Sequence, residues 1–466
     1  MKLCVIGTGY VGLTTGACLA SIGHEVICTD SDSSKIEGLQ HGRLPIYEER
    51  LPEVIAAAAG SGRLTFSHDG NAAIQAAEVI FICVGTPPDA DGKANLAAVE
   101  AVARQVAHQA RGYRLVVGKS TVPVHTGEQI RRVLTTHSRG QLEFDVASNP
   151  EFLREGTGVY DFFHPDRIVV GCDSERATSR LHQIYSPVLE GKFSCGWHAK
   201  AAAQCGWKPP AWVATSVASA ELIKHASNSF LSMKISYANA IADICELAGA
   251  DSAEVLRGLG LDRRIGADFL RPGIGFGGFC FPKDLSAFIE MSTELGYDFQ
   301  LLREVQAINA RRIEQFMRKV REELWVLQGK TIGVLGLAFK AGTDDTRLSP
   351  AYAVVRELLR LGARLRAYDP QAMPRAHDEL PAGVHYCERA EDVAEGAEAV
   401  LILTEWPDFR AAKWTEMARR MTRPLVLDGR NLFEPGELEQ FGFEYRGIGR
   451  RSPVPPHTRP HSATGN

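Results

Sequence analysis

The first thirty residues constrain the fold more than any other stretch. The apolar run Leu3–Ile6 leads into Gly7-Thr8-Gly9-Tyr10-Val11-Gly12, then a helical pattern, then a second apolar run, Glu25–Thr29, closed by Asp30. A lone GxGxxG is weak. One that follows a strand, opens a helix and precedes an acid 18 residues after its last glycine is the fingerprint of a dinucleotide-binding βαβ unit. Gly7 permits the tight turn, Gly9 lets backbone approach a pyrophosphate, and Gly12 allows close helix–strand packing. The helix N-terminus then offers N–H groups and the positive end of its dipole. Asp30 suits a ribose diol and repels a 2′-phosphate, which points to NAD rather than NADP.

The pattern continues as a parallel, doubly wound sheet. Val79–Val84, Leu115–Gly118 and Phe144–Ala147 read as further buried strands alternating with helices. Ligands of such sheets bind beyond the carboxyl ends of the strands. Three strand ends are polar here: Val84-Gly85-Thr86-Pro87-Pro88, Lys119-Ser120-Thr121-Val122-Pro123 and Ser148-Asn149-Pro150-Glu151-Phe152-Leu153-Arg154-Glu155-Gly156. Any one of them could simply end a strand. Three at corresponding positions favour one crevice.

From near Ser219 to about Ala250 the chain turns helical, with no proline, for roughly 30 residues or about 45 Å. Such a helix spans domains or supports a subunit interface. Alternation resumes at Lys330, with strands at Thr331–Leu335, Arg364–Tyr368, Ala399–Leu403 and Leu425–Leu427. The expected fold is α/β, two Rossmann-like doubly wound domains joined by a long central helix and a helical dimerisation segment. The expected boundaries are 1–200, 201–325 carrying the segment around Cys280, and 326–450, then a proline-rich disordered tail, 451–466.

Net charge is -4 and pI about 6.4, so charge gives no reason to expect nucleic acid or an anionic membrane as partner. No apolar run reaches the roughly 20 residues of a membrane span, and the N-terminal run reads as a strand, not a signal peptide. Ten scattered cysteines then read as thiols in a reducing compartment, the cytoplasm. The segment Ser194–Thr215, with Trp197, Trp207 and Trp212, looks like an insertion and an exposed aromatic loop that packs on a partner subunit. Its Cys195, His198 and Cys205 fit no standard zinc spacing, so no metal is expected.

One cysteine stands out by its context. Phe269-Leu270-Arg271-Pro272-Gly273-Ile274-Gly275-Phe276-Gly277-Gly278-Phe279-Cys280-Phe281-Pro282-Lys283-Asp284 holds four glycines in six positions directly before Cys280. Glycines are costly in backbone entropy, and they make sense where backbone approaches a ligand. A thiol is activated by nearby positive charge or a helix N-terminus. On the long helix, Lys224 and Asn228 lie four apart on one face, where an ammonium and an amide can stabilise an oxyanion; the plainer alternative is a snorkelling lysine and a solvated asparagine.

Taken together, these motifs resemble the UDP-glucose/GDP-mannose dehydrogenase family, in its UDP-glucose branch, from Met1 to about Gly449. Glu221-Leu222-Ile223-Lys224, Phe339-Lys340, Asp345-Thr346-Arg347 and Ser349-Pro350 add to the match. The resemblance implies a four-electron oxidation of the UDP-glucose C6 alcohol with two NAD, through a thiohemiacetal and a thioester on Cys280. It implies that Lys224 and Asn228 stabilise the oxyanion, that Asp284 and Thr121 hold or activate water, and that Glu155 is the base for thioester hydrolysis with Glu151 ordering the site beside it. It implies cofactor contacts at Gly7, Gly9, Val11, Gly12, Asp30, Lys35, Thr86, Thr121, Glu155, Lys283 and Arg347. The nucleotide sugar would meet Glu151, Phe152, Leu153, Lys224, Asn228, Phe269, Leu270, Gly273, Phe276, Gly277, Phe339, Lys340 and Arg430, with Arg264 reaching across a homodimer or higher homo-oligomer interface.

The chain departs from the family pattern in two places. Tyr47-Glu48-Glu49-Arg50-Leu51 stands where Tyr-Glu-Pro-Gly-Leu is frequent, so that turn is expected to differ. Phe279 stands where serine is common. The same chemistry on GDP-mannose or a UDP-N-acetylhexosamine is the alternative; Asp161-Phe162-Phe163-His164-Pro165-Asp166-Arg167 resembles the glucose branch more. A catalytically silent sensor would lack Cys280, Lys224, Asn228 or Asp284, and all four are present.

Overall fold

The computed structural model describes residues 1–89, 92–194, 205–434 and 436–450. Cys195, Trp197, His198 and the proline-rich tail from 451 lie outside the described residues. The chain divides into two compact units, Met1–Ser229 with Lys283–Phe299, and Phe230–Pro282 with Gln300 onward.

The first unit is built on eight strands: β1 (Lys2–Ile6), β2 (Glu25–Thr29), β3 (Leu64–Ser67), β4 (Val79–Ile82), β5 (Gly112–Gly118), β6 (Leu142–Ser148), β7 (Arg167–Cys172) and β8 (Ala211–Thr215). Their order is β3-β2-β1-β4-β5-β6-β7-β8, parallel except between β6 and β7. Alternate residues feed two cores. Leu3, Val5, Val79 and Phe81 pack on one face, and Cys4, Ile6, Ile80 and Ile82 on the other. A sheet covered on both faces needs unbroken apolar strands, and these runs supply them.

Three of these strands lie outside the sequence reading. β8 corrects it, because it falls within the presumed loop Ser194–Thr215. Its Trp212 meets the ring of His182 at 5.1 Å, and a side chain on Gly191 would come within 2.9 Å of Trp207. In its described part the segment is therefore sheet edge and packing for its own unit.

The turn at Tyr47–Leu51 holds one left-handed residue. Arg50 takes φ 67°, the left-handed conformation that glycine adopts freely. A non-glycine residue in that conformation carries a strain of about 1 kcal/mol.

The second unit carries β9 (Thr331–Leu335), β10 (Arg364–Tyr368), β11 (Val384–Tyr386), β12 (Ala399–Ile402), β13 (Leu425–Asp428) and β14 (Glu444–Arg446). All are parallel, in the order β11-β10-β9-β12-β13-β14. This repeats the order of the first six strands of the first unit and is the Rossmann order. The repeat extends to the first turn. Gly7 after β1 and Gly336 after β9 have φ 101° and 97°. Asp30 after β2 and Asp369 after β10 each accept a backbone N–H of that turn.

The helix Val217–Ala248, of 32 residues, runs from the first unit into the second. Among the described residues no helix is long and apolar enough to cross a membrane.

Candidate active site

The glycine turn is shaped for a ligand at one position and for the protein at two. A side chain on Gly7 would come within 2.6 Å of the Cys83 carbonyl, and one on Gly12 within 1.9 Å of the Gly7 carbonyl. At Gly9 an added Cβ meets nothing within 4 Å. Gly9 caps the helix Tyr10–Ser21, whose first turn has no side-chain cap and no acid. That leaves its N–H groups and dipole for a pyrophosphate. The Asp30 carboxylate accepts from the N–H and hydroxyl of Thr8 at 2.7 and 2.9 Å through Oδ2. Its other oxygen accepts from the Asp32 N–H, and the side chain remains half-buried at the mouth of the turn. Lys35 stands on the next helix, 4.0 Å from Asp32, with Val11 half-buried in the turn itself. These residues fit a dinucleotide with a free ribose diol.

The second copy of the motif does not fit one. Asp369 is buried, and its Oδ2 is taken by Leu337 N, Ala338 N and the Trp406 indole.

The three polar strand ends of the first unit meet. The Thr86 hydroxyl donates to the Thr121 carbonyl at 2.9 Å, Ser120 Oγ to the Val84 carbonyl at 2.7 Å, and Asn149 N to the Gly118 carbonyl at 2.8 Å. Beyond Asn149, Glu151 is buried, with Oε1 2.8 Å from Lys224 Nζ and Oε2 accepting from Leu153 N. The Phe152 ring lies under the guanidinium of Arg167 at 3.7 Å, with Lys224 Nζ 5.4 Å away. Glu155 is half-buried in the same loop.

Lys224 and Asn228 are both buried, so the snorkelling and solvated alternative does not hold. Asn228 Nδ2 donates to Asp284 Oδ2 at 2.6 Å, and Lys283 Nζ lies 2.5 Å from Asp284 Oδ1. Burial pushes the Asp284 carboxyl up, but Lys283, Lys224 and His225 together hold it below the ordinary carboxylate range. Lys283 and Asp284 sit in the first turns of the helix Cys280–Glu294, whose first residue is Cys280. Of the nine described cysteines, all thiols, Cys280 is the exposed one. Its position at a helix N-terminus favours a thiolate.

In the second unit the glycines before Cys280 leave no room for a side chain. A side chain on Gly273 would meet the Gly429 carbonyl at 3.0 Å, on Gly275 Asn309 at 2.9 Å, on Gly277 the Leu348 carbonyl at 2.2 Å, and on Gly278 the Phe339 ring at 2.7 Å. They are glycines because the protein itself approaches them. Asn309 clamps Phe276, accepting from its N–H at 2.8 Å and donating to its carbonyl at 3.0 Å. Arg430 donates to the carbonyls of Leu403, Gly275 and Phe339. Phe269 (φ 63°) and Phe276 both meet the ring of Phe281, and Leu270 is buried. Lys340 Nζ lies 5.7 Å from the Phe339 ring. Arg347 is paired with Asp345 and lies 4.5 Å over the Phe279 ring. Arg264 pairs only with its neighbour Asp262 among the described contacts, and its side chain is 89 % exposed.

Three sequence models match in succession: the NAD binding domain of the UDP-glucose/GDP-mannose dehydrogenase family over residues 1–189, its central domain over 218–311 and its UDP binding domain over 333–435. A Bacillus subtilis protein named UDP-glucose 6-dehydrogenase TuaD is 41% identical over 96% of this chain and 93% of its own length. The chain belongs to the UDP-glucose/GDP-mannose dehydrogenase family. A Rhizobium meliloti protein named UDP-glucose 6-dehydrogenase is also 41% identical, over 97% of this chain and 100% of its own. Among solved structures, a UDP-glucose dehydrogenase from Pyrobaculum islandicum superposes with TM-score 0.86 at 38% identity, covering 96% of this chain and 97% of that one. A UDP-D-ManNAc dehydrogenase from Pyrococcus horikoshii gives 0.82 at 28% identity, covering 97% and 100%.

As a member of this family of NAD-dependent dehydrogenases, the chain holds buried groups that sequence reasoning left without a role. Lys119 directly follows β5, with its ammonium 3.1 Å from Asn149 Oδ1 and 3.5 Å from the Tyr185 hydroxyl. Burial pushes its pKa down to about 8, against the opposite pull of Cys83 and Glu151. A lysine directly after the apolar run Leu115-Val116-Val117-Gly118 was the available signal. Glu221 accepts from His125 N and Gly127 N, both at 2.8 Å, and burial raises its carboxyl to about 7. His225 binds the Val122 carbonyl at 2.9 Å, and burial holds its imidazole below the ordinary value.

Proposed function

We propose that this chain oxidises the C6 alcohol of UDP-glucose to the carboxylate of UDP-glucuronate with two NAD. The observation that carries the reading is Cys280, exposed at the start of the helix that bears the buried Lys283–Asp284 pair, in a chain 41% identical to proteins named UDP-glucose 6-dehydrogenase.

NAD, when bound, accepts one hydride in each of two oxidations. The chain's residues do the rest. The C6 hydroxyl loses its proton and C6 a hydride, giving an aldehyde. Cys280 Sγ adds to that aldehyde, and the thiohemiacetal oxygen is met by the Lys224 ammonium and the Asn228 amide. Loss of the second hydride leaves a thioester. Water, held by Thr121 and Asp284 and deprotonated by Glu155, cleaves it and returns the thiol. One water and two NAD are consumed, and two NADH, three protons and the carboxylate are formed. Glu151 holds Lys224 in place. Phe152, Leu153, Phe269, Leu270, Gly273, Phe276, Gly277, Phe339, Lys340 and Arg430 are assigned to the nucleotide sugar. Gly7, Gly9, Val11, Gly12, Asp30, Lys35, Thr86, Lys283 and Arg347 are assigned to NAD.

Phe279 supports a second reading, the same chemistry on GDP-mannose or a UDP-N-acetylhexosamine, because its ring lies next in sequence to the nucleophile. We assign the enzyme to the cytoplasm, in keeping with its thiols. We assign it a homodimer, supported by exposed Phe230, Tyr237 and Ile244 at seven-residue spacing on the long helix. The exposed Arg264 would then reach the partner's substrate.

The deciding experiment measures NADH formed per limiting sugar, with UDP-glucose, GDP-mannose and UDP-N-acetylglucosamine in parallel and Cys280→Ser as control. Two NADH per UDP-glucose, lost in the variant, is expected. One NADH from the parent enzyme would remove the thioester from the scheme, and turnover of another sugar alone would move the substrate to the second reading.

A further inference from the structure

The backbone of residues 273–276, in the segment that leads to Cys280, is held at every residue. Two of the holders stand on the helix Gln300–Leu324, where Asn309 and Arg312 are three apart and share a face. Asn309 binds both backbone groups of Phe276, accepting its N–H at 2.8 Å and donating to its carbonyl at 3.0 Å. This is the two-point pairing that a neighbouring strand would supply. Arg312 Nε donates to the Gly273 carbonyl at 3.0 Å. From the long helix, Asn239 accepts the Gly273 N–H at 2.8 Å. The Ile274 N–H donates to the Gly429 carbonyl at 3.0 Å, and the Gly275 carbonyl accepts from Arg430 at 3.0 Å.

Arg312 is only 3 % exposed. Its Nη1 meets Asp243 Oδ1 and Gln315 Oε1, and Gln315 Nε2 donates to the other Asp243 oxygen at 2.9 Å. A buried guanidinium is costly unless it is paired and hydrogen-bonded, and for stability alone an apolar side chain of that volume serves as well. What the guanidinium adds here is a directed bond to the Gly273 carbonyl. The approach of the helix also requires a glycine. Gly275 has φ 105°, and a Cβ there would come within 2.9 Å of Asn309 Oδ1 and 3.5 Å of Arg312 Cβ. A glycine-rich stretch loses more entropy on ordering than any other. A ligand that had to order it would bind correspondingly more weakly.

We propose that Asn309 and Arg312 are positioning residues for the nucleotide-sugar site. From a helix that carries none of the residues assigned to that site, they hold the backbone of 273–276 in its binding shape before the sugar arrives. The inference rests on the assignment of Gly273, Phe276 and Gly277 to the nucleotide sugar. The contribution is preorganisation, so it belongs to the affinity for the sugar and not to hydride transfer or to the affinity for NAD.

The test uses two variants of the full-length enzyme. Asn309→Ala removes both bonds to Phe276. Arg312→Lys keeps the charge beside Asp243 and drops the planar Nε donor to Gly273. Each is assayed by NADH formation at varied UDP-glucose and at varied NAD, titrated with UDP-glucose by calorimetry in the absence of NAD, and melted. The expected result is a rise of about fivefold to thirtyfold in both KM and Kd for UDP-glucose, the range for losing one or two hydrogen bonds. KM for NAD stays within about twofold and the yield stays at two NADH per sugar. Folded variants that bind UDP-glucose as the parent does overturn the proposal. So does a parallel rise in both KM values, or a fall in kcat with KM for the sugar unchanged. A purely structural role would lower the melting temperature with both KM values unchanged, and that outcome too counts against it. A parent enzyme that neither binds nor oxidises UDP-glucose is a different failure: the substrate reading then falls, and the inference with it.

Discussion

The ammonium of Lys224 lies 2.8 Å from Oε1 of Glu151, and each side chain is only 6 % exposed. Desolvating two such ions costs several kcal/mol each, which their attraction only partly offsets. A pair of this kind is weak evidence for stability and better evidence for a charge held where chemistry uses it. Glu151→Ala is expected to destabilise the first unit by roughly 3 kcal/mol or more, because it strands a buried ammonium. The double variant Glu151→Leu with Lys224→Met should recover most of that stability and none of the activity. Denaturant unfolding and NADH assays on the same samples check both halves, and recovered activity would contradict the oxyanion role of Lys224.

Asp30 holds the Thr8 N–H and hydroxyl and remains half-buried at the mouth of the glycine turn. Asp30→Ala removes the acceptor for a ribose diol and the repulsion of a 2′-phosphate together. KM for NAD is expected to rise about tenfold or more, with the NAD-to-NADP ratio of kcat/KM falling by a similar factor, since hydrogen bonds to charged groups are each worth about 1.5–3 kcal/mol. Steady-state kinetics with both cofactors decide it. An unchanged ratio would remove Asp30 from cofactor selection.

The fold was legible in most strands that carry a buried apolar run, though β7, buried over Ile168–Gly171, was missed. β1, β2 and β9 were found within a residue of their bounds, and so was β10, where only Leu365 and Ala367 are buried. β3, β11 and β14 are three or four residues long with exposed positions, too short for a period to register. β7 was not read as a strand, and its antiparallel direction is a relation between strands, not a local preference. The site shows the same division. The four-residue spacing of Lys224 and Asn228 announced a shared face, and the Asp284 that receives Asn228 stood in a motif already singled out. Glu48 holds Gly156 from 108 residues away, and nothing near Glu48 in sequence says so. The glycines before Cys280 announced a close backbone approach but not its protein partners, and a side chain there would meet Asn309, Leu348 and Phe339.

Glu221 gives a pH signature. Its carboxyl is raised from 4.5 to about 7 by burial, against the pull of the Gly127 and His125 N–H groups. The folded state therefore binds this proton more tightly than the unfolded one. The stability it confers is fully present below 4.5 and is lost as pH rises through about 7. At about 1.4 kcal/mol per unit the window is worth roughly 3 kcal/mol. Relative to Glu221→Gln, the parent chain should be more stable at pH 5 than at pH 8 by an amount of that order. Urea unfolding of both at the two pH values measures it, and a pH-independent difference would mean that Glu221 titrates normally.

A substitution at Phe279 is expected to separate the reaction from its specificity. Its ring lies 4.5 Å beneath the Arg347 guanidinium, while Arg347 is also held by both oxygens of Asp345. A half-exposed stack of this kind is worth about 0.5–1 kcal/mol. Phe279→Ser should therefore cost the second unit no more than about 1 kcal/mol, because the ion pair to Asp345 keeps Arg347 in place. The yield of two NADH per UDP-glucose should be unchanged, since Cys280, Lys224, Asn228 and Asp284 are untouched. What should move is the ratio of kcat/KM between UDP-glucose and UDP-N-acetylglucosamine, because the variant removes a ring next to the nucleophile. Competition between the two sugars at limiting enzyme reads that ratio directly. A fall to one NADH per sugar would place Phe279 in the chemistry, and an unchanged ratio with unchanged yield would leave the ring as packing for Arg347 alone.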